Sequence, residues 1–346
     1  MEPFDVVSSR LRSSEGFDAV PHPLLIEASA GSGKTWTLAH LAVRFLLEDG
    51  VTPDQLLLVT FTRGAAQALR GRVRSHLTRV LSFLESLGSA TPSVLEEWQR
   101  YYAERPSEIL ASYVATGRQR LGELDSLHAQ TIHSFASDNA ESGQFQISDG
   151  VRQWRQACNE VIAAAALASP DEFERLLEVS TLETVVAVAK ALYDAGCRSA
   201  EGRTLETLTI LPDDEEEEDG QALITLARFQ KNLALGIVER YESLLIQSGV
   251  TTFSELISGL EQRLSGPGAD RFITEMRHNF RVVMIDEFQD TDPLQWDIFR
   301  RLFLDVADTR LIVVGDPKQA IYGFRSGSVE TFLAVRDLCH RRGVPI

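Results

Sequence analysis

Three cysteines in 346 residues, Cys158, Cys197 and Cys339, stand too far apart to form any paired spacing. That excludes a disulfide framework and a Cys-rich zinc or iron–sulfur centre, and it suits a reducing compartment. Also missing is an apolar run of about 20 residues, the length a bilayer span requires. The N-terminus has no charged-then-apolar secretion pattern. A cytoplasmic protein with no membrane partner is therefore expected. Basic residues are scarce as well: 34 Lys and Arg against 50 Asp and Glu leave a net charge of -16. A surface uniformly dressed for phosphate contacts is excluded, because those contacts need Lys and Arg. The acid is unevenly placed, however. No Asp or Glu occurs from Thr62 to Leu84, where Arg63, Arg70, Arg72, Arg74 and Arg79 fall, whereas the run at 213–219 is entirely acidic. That run reads as a solvated loop, and the arginines taken alone read as a solvated helix face.

What is present is the composition of a folded globular protein, 44% hydrophobic and 24% charged, in a chain long enough for two domains. Leu24-Leu25-Ile26-Glu27 is a short apolar run. Ala28, Ser29, Ala30, Gly31, Ser32, Gly33, Lys34 and Thr35 follow it, and then an amphipathic stretch with Leu38, Ala42, Phe45 and Leu46. Strand, phosphate loop and helix follow one another in this way where backbone N–H groups and a helix N-terminus cradle phosphate oxygens. In such a loop Lys34 reaches the β- and γ-phosphates and the Thr35 hydroxyl takes a position on Mg²⁺. The strict pattern asks for Gly where Ala28 stands.

Three more apolar runs read as strands buried on both faces of a parallel sheet: Leu56–Phe61, Arg281–Ile285 and Leu311–Gly315. Helical stripes alternate with them, and Ser126–Phe135 reads as a short strand leading into another helix. The fold expected is α/β, a P-loop parallel sheet with helices on both faces. Residues 137–245 show helical periodicity only, so an all-helical insertion interrupts it. The expected division is a lead-in at 1–23, a motor domain from 24–136 and 246–346, and the insertion between. Chemistry on such sheets gathers at the carboxyl ends of the strands, where Thr35, Thr60, Asp286 and Asp316 fall. Asp286, emerging beside the phosphate loop, suits a Mg²⁺ role, and Glu287 can deprotonate an attacking water. The pair could also be acids at a helix N-terminus, since a helix follows.

Asp286-Glu287-Phe288-Gln289-Asp290-Thr291 and the stretch from Gly315-Asp316-Pro317-Lys318-Gln319 to Tyr322-Gly323-Phe324-Arg325 resemble motifs of superfamily 1 DNA helicases of the UvrD/RecB type. Thr60-Phe61-Thr62 and Thr131-Ile132-His133-Ser134-Phe135 are similar to further motifs of that family, in the same order. Glu27-Ala28-Ser29-Ala30-Gly31 leans toward the RecB branch, in which Ala28 is the usual form. The resemblance implies a RecA-like ATP-binding motor with ATP and Mg²⁺ as cofactors and Lys34, Asp286, Glu287 and Gln319 at the reaction. It implies 3′→5′ unwinding of DNA in recombinational repair. Phe61, Thr62, Arg63, His133, Tyr322, Phe324 and Arg325 would line the single-strand path. Expected partners are single-stranded or duplex-end DNA, other RecBCD-like subunits, and a second motor half to supply arginines, because the sequence stops soon after Gln319. A non-catalytic module that binds ATP and DNA for assembly or regulation is the alternative.

Overall fold

The computed structural model describes residues 23–27, 33–87, 95–139, 146–194, 218–319, 329–342 and 344. The chain divides into two compact units, Met1–Ala140 with Ile257–Ile346, and Glu141–Leu256.

The first unit is built on a five-stranded, all-parallel sheet: β1 (Leu24–Glu27), β2 (Leu56–Thr60), β3 (His128–Thr131), β6 (Val282–Ile285) and β7 (Arg310–Gly315), in the order β1-β7-β6-β2-β3. Each inner strand is buried along its whole length, which is why these segments read as unbroken apolar runs. Alternate residues serve the two faces. Leu24, Ile26, Leu56, Leu58, Met284 and Ile312 join one core with α1 (Lys34–Glu48) and α2 (Arg63–Ser86). Leu25, Val283 and Val313 are buried as well, and the unit holds further buried aromatics, among them Phe135 stacked on Phe299 with centroids 5.6 Å apart. These come from α5 (Ile132–Asp138) and α12 (Pro293–Phe303). α13 (Val329–Arg341) packs against β1. The sheet with helices on both faces agrees with the sequence reading.

The strand order matters for the chemistry. β7, the last strand in sequence, lies between β1, which leads to Lys34, and β6, which leads to Asp286. Two strand spacings, about 9–10 Å, therefore separate the ends of the two strands and must be bridged by side chains. Behind the phosphate-loop helix, α1 and α2 enclose a polar pair that periodicity does not disclose. His40 Nδ1 and His76 Nε2 lie 2.8 Å apart, and Trp36 stacks on His40. Burial holds the His76 imidazole down to about 4 and keeps His40 below its ordinary range too.

Between β2 and β3 the first unit continues through α3 (Glu97–Ala103) and α4 (Ser107–Glu123). The second unit holds α6 (Val151–Ala168), α7 (Pro170–Val179), α8 (Leu182–Asp194) and α9 (Glu218–Ser248). Ala157, Leu176, Ala189, Ala234 and Ile237 are among its fully buried residues, so these helices pack on a core of their own. It is not wholly helical: β4 (Gln146–Ile147) pairs in parallel with β5 (Val250–Thr251). Two residues per strand are too few for alternation to show in a sequence. The acidic run is not all loop either, because Glu218 and Asp219 open α9. α10 (Phe253–Ser265) and α11 (Ala269–Asn279) lead back to β6.

Candidate active site

Gly33 precedes α1 in a left-handed conformation, φ 89°, that a side chain would strain. The turn aims Lys34, the first residue of α1 and only 9% exposed, across the carboxyl ends of the strands. Lys34 Nζ donates to Glu287 Oε2 at 3.4 Å and to Gln319 Oε1 at 3.3 Å. Residues from beyond β1, β6 and β7 are thus joined on one ammonium across the intervening strand. Both contacts are long for hydrogen bonds, so the ammonium is loosely held and exchangeable. Thr35, half-buried, is the second residue of the same helix. Ala28, Ser29, Ala30, Gly31 and Ser32 lie outside the described residues.

Asp286 leaves β6 with its backbone N–H donating to Val59 O, and its Oδ1 accepts from Glu287 N at 2.9 Å. Glu287 is a non-glycine residue in the left-handed region, φ 54° and ψ 43°. That conformation costs about 1–3 kcal/mol and persists only where neighbours fix it. Gln289 is one of those neighbours: its Nε2 donates to Glu287 Oε2 at 2.7 Å. A single turn, Phe288–Asp290, follows, and α12 begins only at Pro293. Its N-cap is Asp292, whose carboxylate accepts from Gln295 N. The helix-capping alternative for Asp286 and Glu287 is thereby removed, since another acid does that work.

The acids crowd one another. Burial first, and the negative Glu287 second, push the Asp286 carboxyl up to about 6, against the weaker pull of Lys34. Asp290 is raised by the same two causes, and its buried Oδ1 has no hydrogen-bond partner. A divalent cation fits such a place, because it restores the charged form that burial disfavours. Among the described residues no group of three or more His, Cys, Asp or Glu could hold a metal alone.

The residues expected on the nucleic-acid path divide. Phe61, 40% exposed, and the exposed Thr62 and Arg63 follow β2; His133 follows the adjacent β3 and is half-buried. Burial lowers the His133 pKa, which favours the neutral imidazole. Thr62 has a structural duty as well: its Oγ1 accepts from Ala65 N at 3.1 Å and caps α2. Thr62→Ala should cost about 1 kcal/mol of stability by thermal unfolding, whereas Thr62→Ser should keep the cap. Equal loss in both variants would show that the cap contributes nothing. Tyr322, Phe324 and Arg325 lie outside the described residues. The motif that contains Gln289 assigns it no role by sequence alone. Its only sequence signal is an amide two residues past the acids, flanked by Phe288.

Comparison with known proteins bears on this geometry. The UvrD/REP helicase N-terminal domain matches residues 13–340. The chain is 33% identical over 319 residues to the RecBCD enzyme subunit RecB of Mycobacterium tuberculosis, covering 89% of this chain and 26% of that protein. Against the RecBCD enzyme subunit RecB of Escherichia coli it is 26% identical over 441 residues, covering 94% of this chain and 37% of the relative. The chain thus spans about a quarter to a third of the length of these relatives. With the parallel sheet and the convergence on Lys34, a match over nearly the whole chain shows that it belongs to the UvrD/REP helicase family and represents the N-terminal domain.

Proposed function

We propose that this chain is the ATP-hydrolysing half of a DNA motor that moves 3′→5′ on a single strand in recombinational repair, in company with RecBCD-like subunits. The observation that carries the reading is the meeting of Lys34 with Glu287 and Gln319, three residues distant in sequence that a phosphoryl-transfer site requires together. When a nucleotide enters, Lys34 exchanges these two loose acceptors for phosphate oxygens, which offer it stronger charge-assisted bonds. Glu287 is then free to take the proton of an attacking water. Gln319 loses its own contact with the ammonium as Lys34 turns, which lets it report the γ-phosphate. Thr35 and Asp286 would hold Mg²⁺. When bound, the ion offsets negative charge on the phosphate oxygens. Phe61 offers an exposed ring to an unstacked base, a contact worth about 1–3 kcal/mol. Arg63 offers a cation to the backbone and His133 a neutral hydrogen-bonding ring. The direction of movement and the partners rest on likeness to the UvrD/RecB group.

ATP turnover by this chain should rise when single-stranded DNA is added. Lys34→Ala should weaken nucleotide binding about ten- to a hundredfold, the cost of a charged hydrogen bond of about 1.5–3 kcal/mol. Unchanged affinity in Lys34→Ala would refute the nucleotide assignment, and absence of any DNA stimulation in the parent chain would refute the motor.

A further inference from the structure

Gln289 is 2% exposed, and both ends of its amide are used. Nε2 donates to Glu287 Oε2 at 2.7 Å, and Oε1 accepts from Asp316 N at 2.9 Å. The orientation is forced, since a backbone N–H only donates and a carboxylate only accepts. Room for it is made at the end of β7. A Cβ on Gly315 would lie 2.7 Å from Gln289 Oε1 and 3.2 Å from Phe288 N, so only glycine leaves the amide its place. From Asp316 the chain turns, with Gln319 N donating to Asp316 O at 2.9 Å, and brings the Gln319 side chain to Lys34. The hydrogen bonds therefore close a ring: Lys34, Glu287, Gln289, Asp316, Gln319 and Lys34 again.

We propose that Gln289 is a positioning residue that holds the Glu287 carboxylate in its reactive direction and ties it to the turn bearing Gln319. The inference deepens the reading of Glu287 as general base and rests on it. Glu287 stands in a left-handed backbone outside any helix or strand, so regular structure does not set its direction. Lys34 and Gln289 both donate to its Oε2. Once Lys34 turns to phosphate, Gln289 is the neighbour that keeps the carboxylate in place. Any shift of the Gln319 turn reaches Glu287 through the Asp316 N–H and this amide.

The test compares the parent chain with Gln289→Met, which removes both hydrogen bonds, and Gln289→Glu. The latter is nearly isosteric and still accepts from Asp316 N, but has no donor for Glu287 when ionised. Both should bind a fluorescent ATP analogue as the parent does and turn ATP over about a hundredfold more slowly, the scale of a misplaced reacting group. In a Glu287→Gln background, Gln289→Met should add no further loss, because there is no base left to aim. Parent-like turnover in either variant overturns the proposal. So does a Gln289→Met loss that adds in full to that of Glu287→Gln, or one matched by equal loss of affinity and melting temperature. If instead Glu287→Gln itself turned over normally, the reading of Glu287 would fail and not the role of Gln289 alone.

Discussion

Glu287→Gln should leave nucleotide binding intact and slow hydrolysis by about 10²–10⁴-fold, the usual worth of a positioned general base. The substitution preserves size and an acceptor oxygen for both Lys34 Nζ and Gln289 Nε2, so the ring around the site survives. What disappears is a group able to accept the proton of water. Removing one negative charge near a bound triphosphate should if anything tighten binding, because like charges at close range repel. A titration with a fluorescent nucleotide and a single-turnover hydrolysis assay separate the two effects. Hydrolysis within threefold of the parent would mean that another group takes the proton.

Asp286→Asn should act in opposite directions on stability and turnover. The carboxyl is 8% exposed and sits at about 6, raised by burial and by Glu287. Between about pH 4 and pH 6 the unfolded chain loses this proton before the native one does. The contribution to stability is therefore full below that window and falls through it as pH rises. At neutral pH, in chelator, the penalty amounts to on the order of 2–3 kcal/mol. The neutral amide escapes it while still accepting from Glu287 N. The melting temperature at pH 7.5 in chelator should accordingly rise, with the advantage gone near pH 4. Mg²⁺-dependent turnover should drop about a thousandfold, the scale of several kcal/mol of charge stabilisation at the phosphates. A variant that melts lower than the parent at pH 7.5 would contradict the burial argument, and one that keeps its turnover would contradict the metal role.

How much of this was legible beforehand follows from what kind of signal each feature leaves. The strands at Leu56–Thr60, Val282–Ile285 and Arg310–Gly315 show as continuous apolar runs because both of their faces are covered. Lys34, Asp286, Glu287 and Gln319 stand out as candidates because each lies in a short local motif. Strand order leaves no such trace, and the place of β7 between β1 and β6 shows only in the structure. The left-handed backbone of Glu287 and the bridge made by Gln289 depend on neighbours contributed by another strand. The His40 and His76 pair was hidden for a different reason: both residues interrupt an apolar stripe and satisfy each other only across two helices.

The placement of β7 also sets an order of assembly. Within the described sheet β1 has a single neighbour, β7, and the register Leu24 with Ile312 through Glu27 with Gly315 joins positions nearly three hundred residues apart. A nascent chain emerging from the ribosome therefore carries Lys34 just beyond an unmated strand until almost everything described here has been synthesised. Closing so long a loop is slow and leaves apolar edges open meanwhile. Any shorter translation product ending before Arg310 lacks the strand that joins β1 to β6, and its lysine and its acids stay on separate pieces of sheet.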